Sequence, residues 1–178
     1  MKKTLLARLK KIKLLATDVD GVLTDAGMYY SEHGDELKKF NTRDGMGLVL
    51  LRYAGVRLAI VTSEDTKIVE RRAAKLRITD LLQGARDKVT ALETIMKRHG
   101  LSWEEVAYIG DDVNDLAVLK RAGFAASPAD GTEANRKAAH YVTKKRGGEG
   151  CVREVCEMIL EARGTAAESV FTDMIRSR

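Results

Sequence analysis

Strand-length apolar runs alternate with helix-length amphipathic segments along nearly the whole chain, and that rhythm narrows the folds open to it. "KLLAT" (13–17), "VRLAIVT" (56–62), "EVAYIG" (105–110), "FAAS" (124–127) and "HYVT" (140–143) have the length and composition of strands, and "ITDLLQG" (78–84) reads as a short strand or a turn. Between them, "GMGLVLLRYAG" (45–55), "EDTKIVERRAAKL" (64–76), "DKVTALETIMKRHG" (87–100), "VNDLAVLKRAG" (113–123) and "GTEANRKAA" (131–139) read as helices, and "GCVREVCEMILEAR" (150–163) as a last one. Several close on a glycine, which readily takes the left-handed backbone that ends a helix. Strand–helix–strand succession requires parallel strands, right-handed crossovers and helices on both faces. The chain is therefore predicted to be α/β, with a doubly wound parallel sheet. At 178 residues, 44% of them hydrophobic, it fits one domain, 1–178. A single proline and few aromatics argue against a β-sandwich and against disorder.

In such sheets ligands bind beyond the carboxyl ends of the strands. The first strand runs into Asp18 and Asp20, the second into Thr62 and Ser63, and the strand at 105–109 into Gly110, Asp111, Asp112 and then Asp115. Acidic and hydroxyl groups from segments far apart in sequence are thus expected at one edge. Converging carboxylates repel one another unless protons or a cation offset the charge. With hard oxygen donors and few histidines, Mg²⁺ is the expected cation, held by Asp18, Asp111 and Asp20, the last through its backbone carbonyl. Such a centre can hold a phosphoryl group for attack by an aspartate. Asp18 is then the candidate nucleophile and Asp20 the general acid and base. Thr62, Ser63 and Lys88 are candidate donors to developing negative charge.

One segment breaks the alternation. "GMYYSEHGDELKKFNTRDG" (27–45) carries apolar residues on both sides of a Gly-containing turn and reads as a β-hairpin over the acidic edge. The tail 164–178 has little apolar pattern and is read as flexible, or as docked on a neighbour. Net charge is +5, but the basic residues are scattered, and the one dense run, "KKTLLARLKKIK", has the spacing of a short amphipathic helix. No nucleic-acid or membrane partner is expected, since no stretch approaches the roughly 20 apolar residues of a membrane span. Cys151 and Cys156, five apart, match neither a metal pattern nor a disulfide framework and suit reduced thiols in the cytoplasm. His33, His99 and His140 are placed away from the acidic edge.

"DVDGVLTD" (18–25), the threonine of "IVTS", Lys88 in "GARDK" and "GDDVNDLAVL" (110–119) resemble, in order, the four motifs of the haloacid dehalogenase superfamily. The resemblance covers most of the chain and implies a Rossmann-like core, Mg²⁺ and a phosphoaspartate on Asp18. An aspartate two residues after the nucleophile, as Asp20 is, marks the phosphatase branch. The hairpin segment 27–44 and "GGEGCVREVCEMIL" (147–160) resemble the capless branch acting on phosphorylated 2-keto-3-deoxy sugar acids. That resemblance implies no cap domain and a homotetramer in which a neighbouring subunit covers the active site. It also points to Ser63, Glu64, Arg72 and Lys75 as substrate-binding residues, with Asp112 and Asp115 in support. "TSEDTKIVERRAAKLRI" resembles the enzymes of nine-carbon acids (KDN or N-acylneuraminate 9-phosphate) more than those of the eight-carbon 3-deoxy-D-manno-octulosonate (KDO) 8-phosphate. The alternatives are the eight-carbon phosphatase and a non-catalytic module like the tail of a cytidylyltransferase.

Overall fold

The computed structural model describes residues 3–34 and 36–177. Lys2 of the basic run and Asp35 of the hairpin turn lie outside the described residues. The elements run α1 (Lys3–Leu9), β1 (Leu14–Thr17), β2 (Tyr29–Tyr30), β3 (Glu36–Leu37), α2 (Thr42–Tyr53), β4 (Arg57–Val61), α3 (Lys67–Leu76), β5 (Asp80–Leu82), α4 (Lys88–His99), β6 (Val106–Ile109), α5 (Leu116–Leu119), β7 (Phe124–Ser127), α6 (Glu133–Ala138), β8 (Tyr141–Val142), α7 (Cys151–Ala162) and α8 (Ala167–Arg176).

Among the described residues, six strands form one sheet in the order β5-β4-β1-β6-β7-β8, every neighbouring pair parallel. The central strands are buried on both faces, so their side chains split between two cores. Leu15, Ile60, Ile109 and Phe124 pack on one face against α2 and α7. Leu14, Ala59, Val61, Tyr108 and Ala125 pack on the other with Leu92, Ile95 and Val118. Register fixes the functional edge: Thr17 pairs with Ile60 on one side and Ile109 on the other, so β1, β4 and β6 end level. Local signals set the helix ends. Asp87 accepts hydrogen bonds from the Val89 and Thr90 amides at the start of α4, and Gly100 closes it in a left-handed conformation.

Two expectations are corrected. The helix expected over 113–123 is short: a 3-10 turn, Val113–Asp115, precedes the four-residue α5. The Asp115 carboxylate turns back to accept hydrogen bonds from the Asp111 and Asp112 amides, which winds that first turn tightly. The tail is helical rather than flexible: α8 packs on α2 and buries Val170 and Met174, four residues apart on one face. The hairpin forms as expected, but with only two paired residues on each side. No helix among the described residues is long and apolar enough to cross a membrane.

Candidate active site

Asp18 follows β1 directly and is buried. One carboxylate oxygen accepts the Val19 amide at 2.7 Å, and the other lies 2.7 Å from the Lys88 ammonium. Lys88 opens α4, and its side chain is fully enclosed. Its Nζ also donates to Asp115 at 2.8 Å, so one cation bridges two carboxylates from β1 and the β6 loop. Tyr108, inside β6, donates its hydroxyl to the same Asp115 oxygen at 2.6 Å. Asp115 thus has both oxygens engaged, by Lys88 and Tyr108 on one and by two amides on the other. This makes it the hub that fixes Lys88, a larger part than the support predicted for it.

The electrostatics are unbalanced. Burial pushes the Asp18 carboxyl up to about 6, helped by Asp115 and opposed by Lys88. Burial, with Asp18 and Asp115, pushes Asp111 up to about 7. Burial pulls the Lys88 ammonium down, but Asp18 and Asp115 outweigh it and raise it overall. A single lysine cannot neutralise three acids. Oxygens of Asp18, Asp111 and Asp115 lie within 4.8 Å of one another, a spacing that suits a cation. Geometry alone would take all three as ligands. The satisfied oxygens of Asp115 argue against it, whereas Asp111 Oδ1 is buried with no hydrogen-bond partner among the described residues. Asp18 and Asp111 are therefore the carboxylates with hydrogen-bonding capacity left in this cluster. Gly21 makes this approach possible. Its φ is +78°, and a side chain there would collide with the Asp111 carboxylate.

Asp20 points elsewhere. Both its oxygens accept from the Lys38 ammonium, at 2.8 and 2.7 Å, and Thr24 Oγ1 lies 3.4 Å away. Its side chain is not among the clustered carboxylate oxygens of Asp18, Asp111 and Asp115. Lys38 follows β3 of the hairpin and is fully enclosed. Sequence reasoning missed it, because a lysine in a polar hairpin carries no local mark. The loop from Gly21 to Asp25 is clamped from below by Gly147 and Gly148, where any side chain would strike the backbone of Gly21 or Thr24. The Gly148 amide donates to the Val22 carbonyl at 2.9 Å.

A cleft of about 210 Å³ opens over these groups, lined by Asp18, Asp20, Thr62, Glu64, Asp111 and Asn114 among others. Thr62 is buried, with its hydroxyl accepting the Glu64 amide at 3.3 Å. Ser63 lies at the mouth with Asn114 Nδ2 3.4 Å from its hydroxyl, and Asp112 caps its own turn through the Val113 amide. Arg72 and Lys75 do not line the cleft. Arg72 donates to the Asn41 carbonyl at 2.9 Å and stacks over Phe40 at 5.2 Å, which secures the segment after the hairpin; Lys75 is exposed on α3. Within one chain, the two residues expected to bind substrate thus stand outside the cleft. The histidines lie away from the cleft: His99 pairs with Asp80, His140 accepts the Ala125 amide, and His33 is in the hairpin turn. Both cysteines are free and buried.

A family model described as haloacid dehalogenase-like hydrolase matches residues 58–155. The chain belongs to the haloacid dehalogenase-like hydrolases. The 3-deoxy-D-manno-octulosonate 8-phosphate phosphatase KdsC of Escherichia coli K12 is 40% identical over 164 residues, 92% of this chain and 87% of that protein. The crystal structure of the Moraxella catarrhalis 3-deoxy-D-manno-octulosonate 8-phosphate phosphatase, in complex with magnesium, phosphate and KDO, matches with a TM-score of 0.91 at 40% identity and covers 100% of both chains. The cobalt-bound Haemophilus influenzae phosphatase matches with a TM-score of 0.85 at 39% identity, over 88% of this chain and 92% of that one. This haloacid dehalogenase-like hydrolase is a phosphatase and fits the capless kind: among the described residues, the segment after β1 forms only a short hairpin.

Proposed function

We propose that the protein is a Mg²⁺-dependent phosphomonoester hydrolase acting through an aspartyl-phosphate on Asp18, with 3-deoxy-D-manno-octulosonate 8-phosphate as substrate. The observation that carries this reading is the buried Asp18–Lys88–Asp115 chain beside the partnerless oxygen of Asp111. Asp18 attacks phosphorus as the bond to the leaving alkoxide breaks, and Asp20 gives that alkoxide its proton. Asp20 then takes a proton from the water that attacks the same phosphorus, and the Asp18 carboxylate returns. Lys38 orients Asp20, and protonation of Asp20 requires it to give up at least one of its two hydrogen bonds to Lys38. Lys88 and the Thr62 hydroxyl face developing negative charge. Asp18, Asp111 and the Asp20 carbonyl would hold Mg²⁺, which when bound would supply the positive charge that the residues lack. The whole of 1–178 serves as one phosphatase domain.

The substrate ranking that "TSE" suggests is reversed here, because the relatives at about 40% identity are named for the eight-carbon compound. Initial rates on KDO 8-phosphate and on KDN and N-acylneuraminate 9-phosphates decide the matter. The expected result is a kcat/KM on the eight-carbon ester at least about tenfold above the others, a discrimination of roughly 1.4 kcal/mol. A preference for a nine-carbon ester would refute it.

Cation binding has a readout independent of turnover. A ligand at 100 times its Kd stabilises the native state by about 2.7 kcal/mol, and each kcal/mol moves Tm by about 2–4 °C at this size. Saturating Mg²⁺ is expected to raise Tm by about 5–10 °C, and Asp111→Asn to remove most of that gain. Both carboxyls titrate above the ordinary 3.8. A raised carboxyl pKa means stability present at low pH and lost as pH climbs through the folded value. Without metal, stability should therefore fall from about pH 4 to about 7, and the Mg²⁺ gain should be larger at pH 7.5 than at pH 5. An equal gain at both would contradict the assignment.

The hairpin exposes Tyr29 at 54%, Tyr30 at 72% and Leu37 at 64% of their surfaces, beside the cleft. This apolar tip supports a homotetramer in which neighbouring subunits cover the active sites. Light scattering should give the mass of four chains, and Tyr30→Glu a smaller species; a monomeric parent would refute the assembly. The two reduced thiols favour a cytoplasmic enzyme, which cell fractionation checks.

A further inference from the structure

A second cavity, of about 640 Å³, lies at the opposite end of the sheet from the acidic cleft. Lys13 precedes β1, Arg57 opens β4, and Asp80, after Thr79, opens β5, so the cavity sits under the amino ends of these strands. Above it, α2, α3 and α4 close at Gly55, Arg77 and Gly100. Its wall carries Lys13, Arg52, Arg57, Arg77 and Arg163, with Asp80 as the one acid.

The charges do not cancel. Asp80 is taken up by Arg98 and His99, each at 2.7 Å, and Lys13 by Glu105. Among the described residues, the ion-paired arginines are Arg98, Arg121, Arg146 and Arg153, none of which lines the cavity. Four wall guanidiniums thus lack an acid. Arg163 donates to the Ala54 carbonyl at 2.8 Å, and Arg52 has a buried Nε with no partner. The ordinary explanation is that cations gather where helices end. Each helix terminus carries roughly −0.5 charge, so α2, α3, α4 and α7, the last of which ends at Arg163, together offset about 2 of four positive charges. About half the excess remains.

Two arginines also stand where backbone logic gives no reason for them. Arg57 is on a strand. Arg77 holds φ +56°, the left-handed closing position that Gly55 and Gly100 fill with glycine in the same wall. An L-residue there costs on the order of 1 kcal/mol relative to glycine. The backbone would prefer glycine at 77, while the cavity gains a guanidinium from arginine.

We propose that this cavity binds a small molecule carrying several phosphate charges, at a site separate from the acidic cleft. Guanidinium forks match phosphate oxygens in pairs. The volume lies in the range of small-ligand sites. A multiply charged phosphate compound supplies the number of negative charges the wall lacks, which a single carboxylate does not.

Calorimetric titration with inorganic triphosphate tests this on the full chain. EDTA in the buffer keeps the acidic cleft free of cations and therefore repellent to the anion, and the readout is binding, so it does not depend on the phosphatase reading. One equivalent should bind the parent protein. Arg57→Glu and Arg77→Gly should each weaken binding at least about tenfold, while Lys120→Glu, on an exposed residue away from the cavity, should leave it intact. Arg77→Gly guards against a folding artefact, because glycine suits the backbone there and Tm should hold or rise. Absence of binding at millimolar triphosphate overturns the proposal. So does equal weakening by Lys120→Glu, or binding indifferent to both cavity variants.

Discussion

Asp18→Asn is expected to abolish turnover while leaving the fold intact. The amide keeps the shape and the place of the carboxylate at the end of β1, but it cannot form an acyl phosphate. Removing a nucleophile from an enzyme that works by covalent catalysis costs on the order of 10⁴-fold or more in kcat. Stability should not suffer in proportion. Asp18 carries a carboxyl that burial and Asp115 both disfavour in its charged form, so neutralising it relieves repulsion as well as breaking the contact with Lys88. Phosphate release from the variant, compared with its melting curve, separates the two. Retained activity in a folded Asp18→Asn protein would remove Asp18 as the nucleophile.

Lys88→Met should damage both properties. The ammonium is fully enclosed and holds Asp18 at 2.7 Å and Asp115 at 2.8 Å. Taking out one member of a buried charged network leaves its partners uncompensated, which typically costs about 3–5 kcal/mol. Metal-free Lys88→Met is therefore expected to melt well below the parent, with Mg²⁺ recovering part of the loss by offsetting the same carboxylates. Activity should fall about 10²–10³-fold even where the protein is folded, the scale for losing one donor to developing negative charge. Chemical denaturation without metal and kcat with metal check the two halves. A variant as stable as the parent would show that the three acids are not held together by this lysine.

Much of the site is legible in the sequence because the signals are local. An apolar strand that ends in Asp18-Val19-Asp20-Gly21 announces carboxylates at a sheet edge, and the alternation of periods places the other strand ends beside it. Glycine stops mark the helices for the same reason. The places where the reading falls short are those where distant groups decide the outcome. The expected helix over 113–123 opens on a 3-10 turn because the Asp115 side chain folds back to cap the amides of Asp111 and Asp112 just before it. Arg72, expected to bind a sugar acid, is held by Asn41 and Phe40 outside the cleft of one chain. The α8 helix carries Val170 and Met174 at helical spacing, yet two apolar residues have meaning only once α2 offers a surface.

The sequence by itself determined the order of strands and helices, the parallel sheet and the acids at its carboxyl edge, since side-chain periodicity and turn residues act over a few positions. Only the tertiary structure decided which charges meet. Lys88 reaches across 70 residues to Asp18 and 27 to Asp115, and Lys38 spans 18 to grip Asp20. Coulomb energy depends on distance and burial, and neither can be read from a position in the chain.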